Sequence, residues 1–161
     1  MEDKYKLLKG IIICKRSGEY LVDLILDSTI NPVLLSSFVG ALGLFGEENL
    51  GKIEEIHIKG LDVEMIVVYK FDLVLIAIMD KKLKKIGIRE EAERALTLFT
   101  TLYNKFDEHT CLDVSIFEEF KEILKAQVSL YFNNLQKSDN TQIPDFGFFT
   151  EAIKKMRDQT N

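Results

Sequence analysis

The stretch NPVLLSSFVGALGLFG, residues 31–46, decides how the rest of the chain is read. No charged residue lies between Ser28 and Gly46, in a chain that is 29% charged. Asn31 is a good helix N-cap, and Pro32 suits the first helical position, where its missing N–H costs nothing. The pattern predicts a helix of about four turns between two groups of strands. At about 100° per residue, Leu34, Leu35, Phe38, Val39, Leu42 and Phe45 fill one broad arc, expected to face a sheet. The opposite arc holds Val33, Ser36, Ser37, Gly40, Gly43 and Leu44. An ordinary surface helix carries Lys and Glu there. Each glycine inside a helix costs about 1 kcal/mol relative to alanine. The small, uncharged arc is therefore expected to meet a partner or second copy, with cover by the chain's own C-terminal tail as the other reading.

Before this helix, residues 7–15 and 20–27 are apolar-rich strands joined at Arg16-Ser17-Gly18-Glu19, a connection short enough for an antiparallel hairpin. After it, residues 51–59, 63–69 and 73–79 form a meander, because Gly60-Leu61-Asp62 and Lys70-Phe71-Asp72 are too short for anything else. Polarity orders these strands. KIEEIHIK is the most charged and suits an edge; so does the second strand, with Glu19, Asp23 and Asp27. The first strand (GIIIC) and the fifth (LVLIAIM) are apolar on both faces, as neighbours in a covered sheet centre would be. The expected order is 2-1-5-4-3.

Two more helices follow. The first has its apolar stripe at Ile88, Ala92, Ala95, Leu96, Phe99, Leu102, Tyr103 and Phe106, with Glu90 and Glu91 favourably near its start. The second opens on a capping box at Ser115-Ile116-Phe117-Glu118 and carries a stripe from Ile116 to Leu135. These two are expected on one sheet face and the opening helix on the other: an α/β chain of α+β type, β-β-α-β-β-β-α-α. Residues 1–135 are read as one domain, and 136–161 as a polar linker with a short helix at 145–158.

The chain's 161 residues suffice for one hydrophobic core without a metal or disulfide staple. A formal net charge of −5 argues against nucleic acid as a partner. Cys14 lies in an apolar run far from Cys111, so a buried free thiol is expected rather than a disulfide. The acidic, discontinuous N-terminus does not read as a signal peptide, and the opening helix is too short and polar for a span, so a soluble, cytoplasmic protein is expected.

Chemical signatures are missing where chemistry would need them. Gly46-Glu47-Glu48-Asn49-Leu50-Gly51-Lys52-Ile53 resembles a phosphate loop, but Ile53 stands where Mg²⁺ needs Ser or Thr, and two glutamates would repel phosphate. It is read as a helix-to-strand turn. His57, His109, Cys14 and Cys111 do not have zinc spacing. No nucleophile elbow is present, and the carboxylate pairs sit at positions suited to solvated faces. No catalytic residue, cofactor or metal is expected. The basic run Lys81, Lys82, Lys84, Lys85 follows the most apolar strand and is read chiefly as a solvated connection, with contact to acidic protein or peripheral contact to an anionic membrane as the other reading.

The succession of hairpin KGIIICKRSGEYLVDLIL, helix LLSSFVGALGLFGEE, strands IEEIHIKG and LVLIAIMD and stripe ALTLFTTLYNKF resembles the longin domain of the roadblock/longin superfamily, and in particular its stand-alone archaeal type. With only a few residues before the first strand and two helices closing the core, longin is favoured over roadblock proper. The resemblance implies a non-enzymatic platform that binds or regulates a small Ras-like GTPase or pairs with another longin/roadblock protein, in a trafficking-type assembly and as a homo- or heterodimer. It transfers no active-site residues. The surfaces expected to supply contacts are Val33, Ser36, Ser37, Gly40, Gly43 and Leu44 on the helix, and Lys52, Glu55, His57 and Lys59 on the charged edge strand. The rival class is a small-molecule-sensing module with its ligand between sheet and helix.

Overall fold

The computed structural model describes residues 5–103 and 113–140. The strands are β1 (Leu8–Lys15), β2 (Tyr20–Ile25), β3 (Glu55–Lys59), β4 (Val63–Lys70) and β5 (Leu73–Asp80). The helices are α1 (Pro32–Leu50), α2 (Ile88–Leu102) and α3 (Phe120–Asn140). The strands form one antiparallel sheet in the order β2-β1-β5-β4-β3. Polarity had predicted this order, and the burial explains why it works. Every residue of β5 from Leu73 to Met79 is buried, whereas β3 at the rim buries none completely.

Alternation along the strands splits the core into two layers. Ile12, Cys14, Val67, Tyr69, Val74, Ile76 and Ile78 cluster with Val39 of α1 on one face. The other face takes Ala92, Ala95, Leu96 and Phe99 of α2, all buried. There Phe99 meets Phe117 and Phe120 at ring-centroid distances of 5.1 Å each, and Tyr103 at 4.8 Å. The chain divides into two compact units, Met1–Lys125 and Ala126–Asn161. The sheet, α1, α2 and the aromatic cluster belong to the first. In the second, the rings of Tyr131 and Phe132 pack at 5.7 Å.

Several local expectations are corrected. α1 continues through Gly46 to Leu50 and ends at Gly51, whose φ of 86° only glycine adopts cheaply. The phosphate-loop look-alike is therefore mostly helix. The capping box at Ser115 does not form. Asp113 instead accepts from the Ser115 N–H at 3.0 Å and opens a 3-10 turn at Val114–Phe117, with α3 beginning at Phe120. Residues 137–140, read as linker, are the last turn of α3. His109, Cys111, Phe106 and the helix expected at 145–158 lie outside the described residues.

Cys14 is a free, fully buried thiol. Burial, slightly offset by the Ser36 hydroxyl, pushes its pKa up to about 12. Since the thiolate is the reactive form, Cys14 is expected to be inert to maleimides at neutral pH and to react at a free thiol's rate only in denaturant. Mass spectrometry of a Cys111→Ser variant reads this directly, and rapid labelling under native conditions would contradict it.

Candidate functional site

α1 begins as the sequence dictates. The Asn31 side chain accepts from the Leu34 N–H at 3.0 Å, with Pro32 in the first turn. Its two faces, however, match the expectation only in part. Ser36, Val39, Gly40, Gly43 and Gly46 are the buried residues. Of the arc expected to face the sheet, Val39 is buried and Leu35 and Leu42 are half-buried, while Leu34, Phe38 and Phe45 are exposed.

The reason is close approach. A Cβ on Gly40 would stand 2.6 Å from the Gly18 nitrogen and 2.7 Å from the Ser17 carbonyl oxygen in the β1–β2 turn. One on Gly43 would stand 2.8 Å from the Tyr69 hydroxyl oxygen. Ser36 fits because its hydroxyl donates back to the Pro32 carbonyl at 2.7 Å, and the Tyr69 hydroxyl donates to the Val39 carbonyl at 3.3 Å. The small stripe seats the helix against hairpin and sheet. Val39 still fits beneath it, whereas the bulkier Leu34, Phe38 and Phe45 lie outward.

The outward face carries Val33, Leu34, Phe38, Leu44 and Phe45, between 52% and 69% exposed, with Ser37 and Ala41 among them. It has no charge until Glu47. Isolated exposed leucines need no explanation, but a contiguous apolar helix face of this kind is a candidate interaction surface. Of the helix residues named from the sequence, Val33, Ser37 and Leu44 lie on this face. Ser36, Gly40 and Gly43 lie beneath it and cannot touch a partner. Leu34, Phe38 and Phe45 are the residues that sequence reasoning missed. The signal that could have found them was Gly40, Gly43 and Gly46 three residues apart, which marks a contact too tight for side chains.

The edge-strand set belongs to a different place. Glu55, His57 and Lys59 pair with Val68, Ile66 and Glu64, and so alternate away from the α1 layer, toward which Ile53 and Ile56 pack. Glu55 bonds Arg89 of α2 at 2.9 Å and contacts His57. Arg89 also reaches Glu93 at 3.2 Å and Glu54 at 3.6 Å. The Arg89 guanidinium is held further toward its charged form by these carboxylates, the Glu93 hydrogen bond first. Lys52 is exposed in the connection before β3. The two candidate surfaces thus lie on opposite faces of the sheet and do not form one site. Among the described residues the outer edge of β3 has no strand neighbour.

The basic run also divides. Lys81, Lys82 and Lys84 are exposed, but Lys85 contacts the carboxylate of Glu64, a residue only 5% exposed. At the opposite end of the sheet a cleft of about 500 Å³ opens between Arg16, Glu19, Phe71, Phe99, Thr100 and Tyr103. Among the described residues Arg16 Nε and Thr100 Oγ1 are buried without hydrogen-bond partners, while the Arg16 guanidinium donates through Nη2 to the Phe71 carbonyl at 3.4 Å and stacks over the Tyr69 ring at 5.0 Å. The cleft is lined by polar and aromatic groups. Among the described residues no three His, Cys, Asp or Glu side chains come together to hold a metal ion. Among them too, no helix is long and apolar enough to cross a membrane.

Solved structures share this architecture. A Roadblock/LC7 domain from Streptomyces avermitilis matches with a TM-score of 0.52 at 9% identity, over 62% of this chain and 88% of that one. Myxococcus xanthus MglB matches with a TM-score of 0.52 at 15% identity, over 65% and 89%. The chain has the roadblock/longin fold. A further roadblock-like match, described as MglB with tetrameric arrangement, has a TM-score of 0.51 at 13% identity over 65% and 85%. No family model and no curated protein matches the sequence. The longin-over-roadblock preference rested on the few residues before β1, of which 1–4 lie outside the described residues, and on the two helices after the sheet.

Proposed function

We propose that the chain is a non-enzymatic interaction module of roadblock/longin type, which pairs through the outward face of α1 with a second copy or a sister subunit and binds or regulates a small Ras-like GTPase. The single observation that carries this is the uncharged apolar face of Val33, Leu34, Phe38, Leu44 and Phe45 on a domain of this fold. Leaving such a face in water forgoes roughly 1.5–3 kcal/mol for each large side chain that a partner could bury. That a similar structure is described as tetrameric supports self-association. The free edge of β3 offers main-chain pairing as a second contact, with Lys52 and Lys59 exposed beside it. The GTPase rests on the superfamily resemblance. The module acts in the cytoplasm and spans residues 1–135, with 136–161 as an appended segment.

Light scattering at micromolar concentration tests the pairing. The wild type is expected as a dimer or larger species, and Leu34→Glu/Phe45→Glu as a monomer with self-affinity at least about thirtyfold weaker, since exposed anchors of this size contribute about 2 kcal/mol or more. The variant's melting temperature should stay near that of the wild type. A wild type that stays monomeric and retains no sister subunit would overturn the pairing. Pull-down of small GTPases in both nucleotide states tests the remainder.

A second reading, small-molecule sensing, is favoured by the unpaired Arg16 Nε and Thr100 Oγ1 in the cleft. It predicts a rise in melting temperature with an anionic metabolite that Arg16→Ala abolishes.

A further inference from the structure

The antiparallel register gathers distant lysines at one end of the sheet. Leu8 of β1 pairs with Met79 of β5, Val63 of β4 with Asp80, and Lys59 of β3 with Glu64 of β4. The segment before β1, the β3–β4 turn and the connection after β5 therefore meet there. Backbone bonds hold them together: Asp80 N–H donates to the Leu7 carbonyl at 2.6 Å, Lys81 N–H to that of Asp62 at 3.1 Å, and Leu26 N–H to that of Lys9 at 2.9 Å. Lys6, Lys9, Lys59, Lys81 and Lys82 are thus brought to one end of a protein whose net charge is −5.

Of the acidic groups at this end only Glu64 is matched by a lysine, Lys85, while Asp27, Asp62 and Asp80 keep their charge against the five lysines. Asp27 accepts from the Thr29 hydroxyl at 2.7 Å and its N–H at 3.0 Å, Asp80 from the Lys82 N–H at 2.8 Å, and Glu64 is buried against Lys85. Asp62 is exposed beside Leu61. Leu61 itself, at the tip of the β3–β4 turn, is 89% exposed.

We infer that this sheet end docks the protein on an anionic membrane surface, with Lys59, Lys81 and Lys82 over the headgroups and Leu61 entering the interface. Two features favour a bilayer. The lysines are spread over a sheet roughly 20 Å wide, five strands at about 4.8 Å, with an apolar tip projecting among them. Each lysine near such a surface contributes about 1 kcal/mol, so several are needed and several are present. Peripheral binding takes two weak signals, here charge and one inserted side chain. The surface is separate from the outward face of α1, and the inference does not depend on what pairs there.

Vesicle flotation of the full chain tests it. The protein is expected to float with phosphatidylserine-rich vesicles and not with phosphatidylcholine alone, and to be released as salt rises. Lys59→Glu/Lys81→Glu/Lys82→Glu should lower the bound fraction at least about tenfold. Leu61→Asp should lower it several-fold, and Lys70→Glu, at the opposite end of the sheet, should leave it unchanged. Glutamine at the same three lysines serves if charge reversal lowers the melting temperature. Equal binding to neutral and anionic vesicles, or wild-type binding by the triple variant, overturns the inference. So does a chain that ignores vesicles but is held by polyglutamate through Lys81 and Lys82, which would assign the surface to an acidic protein.

Discussion

Gly40→Val is expected to leave the domain largely unfolded, at a cost of at least about 3–5 kcal/mol. The atoms that a side chain would meet are the Gly18 nitrogen and the Ser17 carbonyl, both main chain, and Gly18 cannot retreat because its own φ is 93°. Gly40 itself lies within regular helix and needs space rather than conformational freedom. Alanine there already collides. At this chain length each kcal/mol shifts the melting temperature by roughly 2–4 °C, so a fall of about 10 °C or complete loss of the transition is expected. Gly51→Ala is the control. A Cβ there meets nothing within 4 Å, and only the strain of φ 86° with ψ −172° is felt, about 1–3 kcal/mol. Equal effects at the two glycines would mean that α1 does not sit on the hairpin turn. The same packing disqualifies Gly43→Arg as a probe of association, because it would break the Tyr69 contact before it reached any partner.

The second large effect is asymmetric. Lys85→Met is expected to cost about 3 kcal/mol, because it strands the buried carboxylate of Glu64 without its counter-charge. Glu64→Met should cost far less, since the Lys85 side chain is 28% exposed and its ammonium can turn to water. The double variant should be close to wild type, as replacing both ions by packed apolar groups often is. Urea unfolding of the four proteins yields the coupling energy. Additive losses would show that the pair contributes nothing beyond its separate side chains.

The sheet could be read from sequence because its determinants are local. Short Gly-containing connections force antiparallel neighbours, and the contrast between LVLIAIM and KIEEIHIK separates centre from edge. The faces of α1 could not be read in the same way. Hydropathy places Leu34, Phe38 and Phe45 inward, but the helix–sheet distance is set by Gly40 meeting Gly18, residues with no visible relation in the sequence. Once that distance is small, volume overrules hydropathy. Likewise nothing in Lys81-Lys82-Leu83-Lys84-Lys85 distinguishes the last lysine until the strand register buries Glu64 beside it. Asp113 and Ser115 are both good capping residues, and residue type does not rank one above the other.

The strand order also governs what the ribosome releases. β1 is made first, yet its central neighbour β5 is completed only at Asp80, when the hairpin and α1 have already emerged. Until then β1 presents an open apolar edge, with Ile11, Ile12 and Ile13 unpaired on that side. Pairing must close a loop from Lys15 to Leu73, the kind of non-local contact that slows folding and lengthens exposure to aggregation. The nascent chain must keep its own centre out of other chains' reach until its last strand arrives.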